Sequence, residues 1–129
     1  MSEKFSVEII SPDKSILKSD AREVIIPSYE GEMGIMNNHV PIITFLRPGF
    51  VKIKNDSETT YYIEEGTVEF MNNKLLILTS TAILKSDFDK GSVETLINDA
   101  EKKISNNEAS DKEKYFLLYK IQALKTLKY

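Results

Sequence analysis

The chain has 129 residues, a net charge of −3, 41% hydrophobic residues, 29% charged residues and no cysteine. This length and composition indicate one folded domain, or one domain with an appendage, and they exclude disulfide scaffolds, thiolate metal sites and cysteine nucleophiles. The single histidine excludes a multi-histidine metal centre, and the acidic balance argues against nucleic acid as a partner. No stretch is long and apolar enough to span a membrane, so we expect membrane association only through a partner.

The first part of the chain predicts a series of short β-strands. Apolar and polar residues alternate there, as expected when one face of a strand is buried and the other is solvated. The strand-like stretches begin at Phe5, Val24, Val51, Tyr61, Val68 and Leu75. Turn formers such as Pro12-Asp13 and Asn72-Asn73 separate them. Because no helix of crossover length is predicted between the strands, a parallel sheet is not expected, and the pattern favours an antiparallel sandwich or barrel.

The last part of the chain predicts two helices. Apolar residues recur with helical spacing from Val93 to Ile104, and Asn106-Asn107 ends this run. Ser92 is the predicted N-cap of the first helix. Ser110 and Glu113 match an S-x-x-E capping box ahead of a second apolar stripe. Two helices joined by a short loop should pack as an antiparallel hairpin.

These patterns predict an α+β fold class, with an N-terminal antiparallel β-sandwich followed by a C-terminal antiparallel α-helical hairpin. All four prolines lie in the first 48 residues, and the last glycine is Gly91. The change in composition and in apolar period assigns residues 1–86 to the sandwich and residues 87–129 to the hairpin.

The sequence carries no catalytic motif. Neither of the common glycine-rich phosphate loops is present, and there is no G-x-S-x-G sequence. The surroundings of His39 give no indication of a general base. Closely spaced acids, at Glu30 and Glu32 and again at Glu64 and Glu65, are typical of solvated edges. We therefore expect neither catalytic residues nor a bound cofactor or metal.

The segment from Glu30 to Val51 is unusual because glycines and large apolar residues are interleaved at its start. Gly31 and Gly34 allow the backbone to turn where a side chain would block it. The large apolar residues beside them are Met33, Ile35 and Met36. Two interpretations stay open at this point: a mobile loop with methionines that face the core, or an exposed apolar and acidic edge for a protein partner.

Three short motifs give this segment a family resemblance. Residues 30–35 read EGEMGI, residues 39–41 read HVP, and residues 48–51 read PGFV. Together they resemble the epsilon subunit of bacterial rotary ATP synthases. Residues 5–12 and 79–89 are similar to the first strand and to the last strand with its linker in that family, so the resemblance covers essentially the whole chain.

The resemblance implies a non-catalytic rotor subunit. In this family the sandwich lies at the foot of the central stalk, binds the gamma subunit and the ring of c subunits, and couples proton flow to ATP synthesis. The helical hairpin can regulate ATP hydrolysis by reaching toward the alpha/beta catalytic head. The implied location is the cytoplasmic side of the bacterial plasma (inner) membrane, peripherally and through the complex. The alternative without the resemblance is a free-standing β-sandwich module that binds a small ligand or a peptide.

The resemblance also implies a site on this chain that contacts the c ring and the gamma subunit. Glu32 matches the family residue that meets the polar loop of the c subunits, which commonly carries arginine, and a carboxylate is its natural partner. The residues expected to line the same turn and contact are Met33, Gly34, Ile35, Met36 and His39. For His39 we favour a hydrogen bond that holds the loop over a titrating role.

The resemblance does not extend to a nucleotide site. Family members that bind ATP carry [IL]-D-x-x-R-A at the start of the first helix. In this chain Asp89 matches, but Ser92 and Val93 replace the arginine and the alanine. The only arginines of the chain are Arg22 and Arg47, and both belong to the predicted sandwich. Because arginine provides the planar fork that phosphate recognition favours, we expect no nucleotide binding.

Overall fold

Ten β-strands and two α-helices make up the described part of the chain, residues 3–107 and 109–127, in the computed structural model. The first five strands are β1 (Phe5–Ile10), β2 (Ser15–Ala21), β3 (Glu23–Ser28), β4 (Gly31–Met36) and β5 (Ile42–Leu46). The next five are β6 (Gly49–Lys54), β7 (Glu58–Ile63), β8 (Gly66–Met71), β9 (Lys74–Leu78) and β10 (Ala82–Leu84). A 3₁₀ turn (Lys85–Asp87) leads to α1 (Lys90–Ser105) and α2 (Asp111–Lys125). Three residues of the predicted hairpin lie outside the described residues: 108, between its two predicted helices, and 128 and 129, at its end.

The strands form two layers that pack face to face. One layer has the order β10-β7-β6-β3-β4 and the other has the order β5-β8-β9-β1-β2. The layers join where β3 meets β5, through the pair Ser28 and Leu46. Inward-facing side chains of both layers share one core, from Val24 and Ile26 in the first to Val7 and Ile77 in the second. The predicted α+β fold, a sandwich followed by two helices, is confirmed.

One strand pair departs from the predicted antiparallel arrangement. β1 and β9 run parallel, with Val7 beside Leu75 and Ile9 beside Ile77. All the other pairs in the described ranges are antiparallel. A parallel pair requires a long connection, and here most of the sandwich itself makes that connection in place of a crossover helix. The sandwich is thus antiparallel, as predicted, except at this one pair, which the sequence did not predict.

The first helix starts earlier than predicted. Asp89 is its N-cap, and its carboxylate accepts a hydrogen bond from the backbone N–H of Ser92 at 2.7 Å. The hydroxyl of Ser92 accepts in turn from the N–H of Asp89 at 3.3 Å, which completes a capping box. Ser92 is therefore the third helical residue and not the cap. Asn107 adopts a left-handed φ of 53° after the helix, as its position in the sequence predicted.

The helical hairpin docks on the outer surface of the first layer, mainly through α2 and β6. Its contact is a second apolar cluster formed by Tyr62, Phe88, Val93 and Leu124. Tyr62 and Leu124 are fully buried, although both would be open to solvent without this docking. Neither described helix is long and apolar enough to cross a membrane.

Polar and aromatic contacts surround the second cluster. Lys120 of α2 forms an ion pair with Glu64 at 2.6 Å. The guanidinium of Arg47 lies 3.9 Å from the centre of the Tyr119 ring, a cation–π geometry. Arg47 was assigned to the sandwich alone, and its contact with the hairpin was not predicted. The predicted division into residues 1–86 and 87–129 remains a proposal; it falls within the 3₁₀ turn.

The buried phenol of Tyr62 predicts a loss of stability at alkaline pH. Burial, together with the charge and hydrogen bond of Glu64, raises the pKa of Tyr62 far above its ordinary value of 10.0. Above pH 10 the unfolded chain therefore releases this proton while the folded chain keeps it. The free energy of unfolding should then fall by about 1.4 kcal/mol per pH unit from this group alone.

Urea unfolding of the wild type and of Tyr62→Phe between pH 9 and 11 measures that contribution. The variant should show a shallower decline, with the remaining slope due in part to Tyr29 and Tyr61, whose pKa values burial also raises. Equal slopes in the two proteins would contradict the assignment.

Candidate partner-binding surfaces

The segment from Glu30 to Val51 forms β4, β5 and the start of β6, and its first strand has both core-facing and exposed residues. In β4 successive side chains alternate between the core and the surface. Met33 packs against the core and Ile35 is fully buried within it. Glu32 and Met36 point outward and are exposed. Ile35 is thus a core residue, and its predicted role in a surface contact was wrong.

The predicted contact residues do not share a turn. Glu32 lies beside the β3–β4 turn, whereas Met36 and His39 lie at the opposite end of β4. Four residues of extended strand separate Glu32 from Met36, which is about 13 Å. Gly34 lies between them in β4, opposite Ile25 of β3, and it makes no turn. The sequence prediction therefore named two separate surfaces at opposite ends of the sandwich.

Glu32 lies near the docked hairpin. Gly31, which precedes it, has a φ of +127°, a conformation that glycine tolerates and other residues rarely adopt. The hydroxyl of Ser28 donates to the carbonyl of Gly31 at 2.7 Å and closes the turn. Glu32 borders an open cavity of about 350 Å³ that Arg47 and Tyr119 also line. The geometry presents a carboxylate on a rigid turn, suited to pairing with a cationic side chain of a partner.

His39 lies at the other end and is held by local contacts. Its backbone N–H donates to the carbonyl of Met36 at 3.1 Å, and its Nδ1 is 2.7 Å from the carbonyl oxygen of Val40. The imidazole ring lies edge-on to the ring of Phe70, with 5.9 Å between the centroids. This arrangement agrees with the favoured loop-holding role of His39.

A further apolar surface was not predicted from the sequence. It is the outer surface of the second layer, and we call it the exposed apolar face. Its apolar members are Ile10, Ile43, Phe45, Leu76 and Leu78. Ile43 is 75% exposed and Phe45 is 61% exposed. The strand pairing brings Phe45 and Leu78 onto opposite sides of Thr67, so the face is continuous across β5, β8 and β9.

Few charges interrupt the exposed apolar face. Glu69 lies near its middle, between Ile43 on β5 and Leu76 on β9. Glu8 of β1 lies next to Leu76 on one side and Lys18 of β2 on the other. A large apolar surface with isolated charges is typical of a protein–protein interface, where burial of apolar area drives association. One sequence signal did exist: Leu75–Leu78 is apolar at four successive positions, so both faces of β9 are apolar.

The residues of the degenerate nucleotide motif have structural roles. Asp89 and Ser92 form the capping box of α1, so their polar groups already have partners. We predict no saturable binding when ATP is titrated into the chain by calorimetry up to millimolar concentrations. Saturable binding that is lost in Asp89→Ala, but kept in the matched cap variant Ser110→Ala, would contradict this prediction.

All ten strands, and therefore both layers of the sandwich, fall within the match to a known domain. A family model described as ATP synthase, Delta/Epsilon chain, beta-sandwich domain matches residues 4–85. The chain is 47% identical over 129 residues to a protein named ATP synthase epsilon chain from Pelagibacter ubique (strain HTCC1062), covering 98% of this chain and 99% of the relative. It is 34% identical over 124 residues to a protein of the same name from Cyanothece sp. (strain PCC 7425 / ATCC 29141), covering 95% and 87%.

Solved structures share the fold. One chain in the mitochondrial ATP synthase of Euglena gracilis, in a structure of its OSCP/F1/c-ring, superposes with a TM-score of 0.79 at 18% identity, covering 95% of this chain and 80% of that chain. One chain in the central stalk and c-ring of the Tetrahymena thermophila mitochondrial ATP synthase superposes with a TM-score of 0.65 at 18% identity, covering 97% and 96%.

Proposed function

The chain belongs to the ATP synthase epsilon-chain family, and from this premise we propose how its surfaces perform the work of a central-stalk subunit. It is a non-catalytic rotor subunit that links the gamma subunit to the c-subunit ring and couples proton flow to ATP synthesis. Its two partners therefore bind different surfaces of the chain. The two ends of β4 lie on two separate surfaces that could serve them.

The exposed apolar face is the observation that carries the assignment of the gamma contact. A rotor subunit must keep one partner through many turns under torque, which requires a stable and mostly apolar interface. Ile43, Phe45 and Leu78 supply that character on a rigid sheet. Val40 and Met36, which are 68% and 51% exposed, add separate apolar surface close to His39 in the chain. We assign the exposed apolar face to the gamma subunit, and we propose that Met36 and His39 also contact it.

The turn that carries Glu32 is assigned to the c ring. Its carboxylate is exposed and suits the arginine that the family resemblance places on the polar loop of the c subunits. Gly34 lies on the same outer surface, and Met33 supports the turn from the core side. The sandwich would thus stand with the β3–β4 turn toward the membrane. We infer for a bacterial cell that the chain lies on the cytoplasmic side of the plasma membrane, attached through the complex.

Replacing Glu32 with lysine should weaken coupling between proton flow and ATP synthesis. The new charge would face a basic loop, and such a reversal can cost several kcal/mol. Because Glu32 is exposed, the free energy of unfolding should change by less than about 0.5 kcal/mol. Proton-driven ATP synthesis in vesicles that carry the reassembled complex is the measurement. Glu58→Lys, the same change at the far end of the sandwich, is the control, and equal synthesis rates for the two variants would contradict the assignment of Glu32.

Binding to the gamma subunit tests the whole proposal. A rotor subunit should form a stable one-to-one complex with purified gamma subunit, seen by sedimentation as a single heavier species. The alternative function, a free-standing module for a small ligand or peptide, predicts that the two proteins sediment separately. The shape of the described cavities also favours the rotor function over the ligand-binding function. These cavities are open grooves and not enclosed ligand sites.

A further inference from the structure

Glu69 is a charged residue with apolar neighbours on the exposed apolar face. The residues directly across from it on the adjacent strands are Ile43 on β5 and Leu76 on β9. Side chains alternate along β8, so the nearest outward-facing residues on the same strand are Thr67 and Met71. The carboxylate is exposed in the free chain, where water solvates it. Any protein that covers this face must remove that water.

The described part of the chain does not neutralise Glu69. The ion pairs found there are Arg22–Asp56, Lys54–Glu23 and Lys120–Glu64. The nearest lysine in the strand register is Lys74 of β9, which pairs with Met71 and therefore lies diagonally from Glu69. Lys74 is absent from the described ion pairs, so the carboxylate of Glu69 is left to the solvent.

Glu8, the other acid of this face, differs from Glu69 because it has partners within the chain. It lies on β1, beyond Leu76 as seen from Glu69, so two strand spacings of about 10 Å in total separate the two backbones. The hydroxyl of Ser15 donates to the carboxylate of Glu8 at 3.1 Å, and Lys18 lies directly opposite on β2. Glu69 is therefore the acid for which a partner protein has to provide.

We propose that the protein covering the exposed apolar face carries an arginine or a lysine that pairs with Glu69. A carboxylate moved from water into an apolar contact loses its hydration, which is costly unless a cation and hydrogen bonds replace it. The apolar area supplies affinity, whereas the charge pair fixes the position of the partner and rejects proteins without the cation. Glu69 is thus a specificity-determining residue. This requirement follows from the charges of the face itself, and naming the gamma subunit as the protein that meets it rests on the proposed function.

Replacing Glu69 with glutamine in the full-length chain tests the inference, with purified gamma subunit as the probe. Glutamine keeps the shape of the side chain and removes its charge. The affinity should fall by roughly tenfold or more, because the buried cation of the partner is left without its carboxylate. If the partner brings no cation, the affinity should instead rise, because an unpaired charge no longer has to be buried. Calorimetric titration measures the sign of this change, and an unchanged or higher affinity overturns the inference.

Two further variants show where the cation comes from. Glu58→Gln makes the same change on β7, in the other layer, and should bind as the wild type does. Lys74→Gln removes the lysine that lies diagonally from Glu69, and its effect should add to that of Glu69→Gln in the double variant. If instead Lys74→Gln weakens binding by the same factor and the two effects do not add, Lys74 is the partner of Glu69 and the inference is wrong.

Failure of the proposed function would give a different result. If the wild-type chain does not bind gamma subunit, both the proposed function and the identification of gamma as the partner of Glu69 are wrong. If it binds, and neither Ile43→Lys nor Glu69→Gln changes the affinity, gamma docks elsewhere and the assignment of the face is wrong. If Ile43→Lys prevents binding but Glu69→Gln binds as tightly as the wild type or more tightly, only the inference about Glu69 is wrong.

Discussion

Replacing Ile43 with lysine should abolish tight binding of the gamma subunit while leaving the fold intact. The side chain lies on β5, the strand at one edge of the exposed apolar face, and it is 75% exposed in the free chain. In the complex the ammonium group would be buried among apolar atoms, and pairing with Glu69 would not offset the cost of removing both charges from water. We expect a loss of at least about 2 kcal/mol, or roughly thirtyfold in affinity.

The sandwich itself should tolerate this lysine. Glu69 lies directly opposite on β8, and an opposite-charge pair across antiparallel strands is mildly stabilising. The binding measurement is calorimetric titration with gamma subunit, and urea unfolding checks the fold. Leu118→Lys introduces the same charge at an exposed apolar position of α2 and should bind normally. If Ile43→Lys binds as tightly as the wild type, the gamma subunit does not dock on this face.

Replacing Leu124 with alanine should undock the hairpin without unfolding the sandwich. Leu124 is fully buried between the hairpin and the first layer, in the second apolar cluster. Truncating a buried leucine costs about 2–5 kcal/mol. Leu124 is the most deeply buried of the described hairpin residues, whereas the sandwich keeps its separate core. Hydrogen exchange should therefore become fast in α1 and α2 and stay slow in β1 and β9.

Two further variants make this result specific. Leu118→Ala changes the same helix at an exposed position and should leave exchange nearly unchanged. A chain that ends at Ser86 removes the hairpin altogether, and it should still melt cooperatively with a β-type circular dichroism spectrum. If Leu124→Ala instead lowers the protection of strands and helices equally, or if the shortened chain is unfolded, the proposed division at residue 86 is wrong.

The predictable parts of the fold are those that local patterns encode. Strands with strict alternation, such as β1 and β6, were found, and so was the cap of α2 at Ser110. β2 was missed because serines, a lysine and an aspartate interrupt its apolar pattern, and β4 was missed because it contains two glycines. The parallel pairing of β1 with β9 joins two strands that are far apart in the sequence. No local pattern of residues indicates which distant strand will pair with β1.

The candidate site was predicted in part for the same reason. A motif places Glu32 on a turn, whereas in the structure it is the second residue of β4, just after the turn. The motif alone does not tell which neighbours face the core. The alternation of side chains along β4 determines which residues face the core, and Ile35 is one of them. The role of Arg47 depends on Tyr119, which is far away in the chain and contacts it only after the hairpin has docked.

The parallel pairing of β1 with β9 also sets the order in which the protein can fold during its synthesis. β1 and β2 leave the ribosome first, but the free edge of β1 stays unpaired until residue 78 has been made. Until then the two strands form only a hairpin, which is marginally stable alone in water. The second layer can therefore close only late, and the exposed apolar face is assembled at nearly the same time as the hairpin emerges. A nascent chain stalled before β9 should accordingly be protease-sensitive throughout β1 and β2, and protection should appear abruptly once β9 is available.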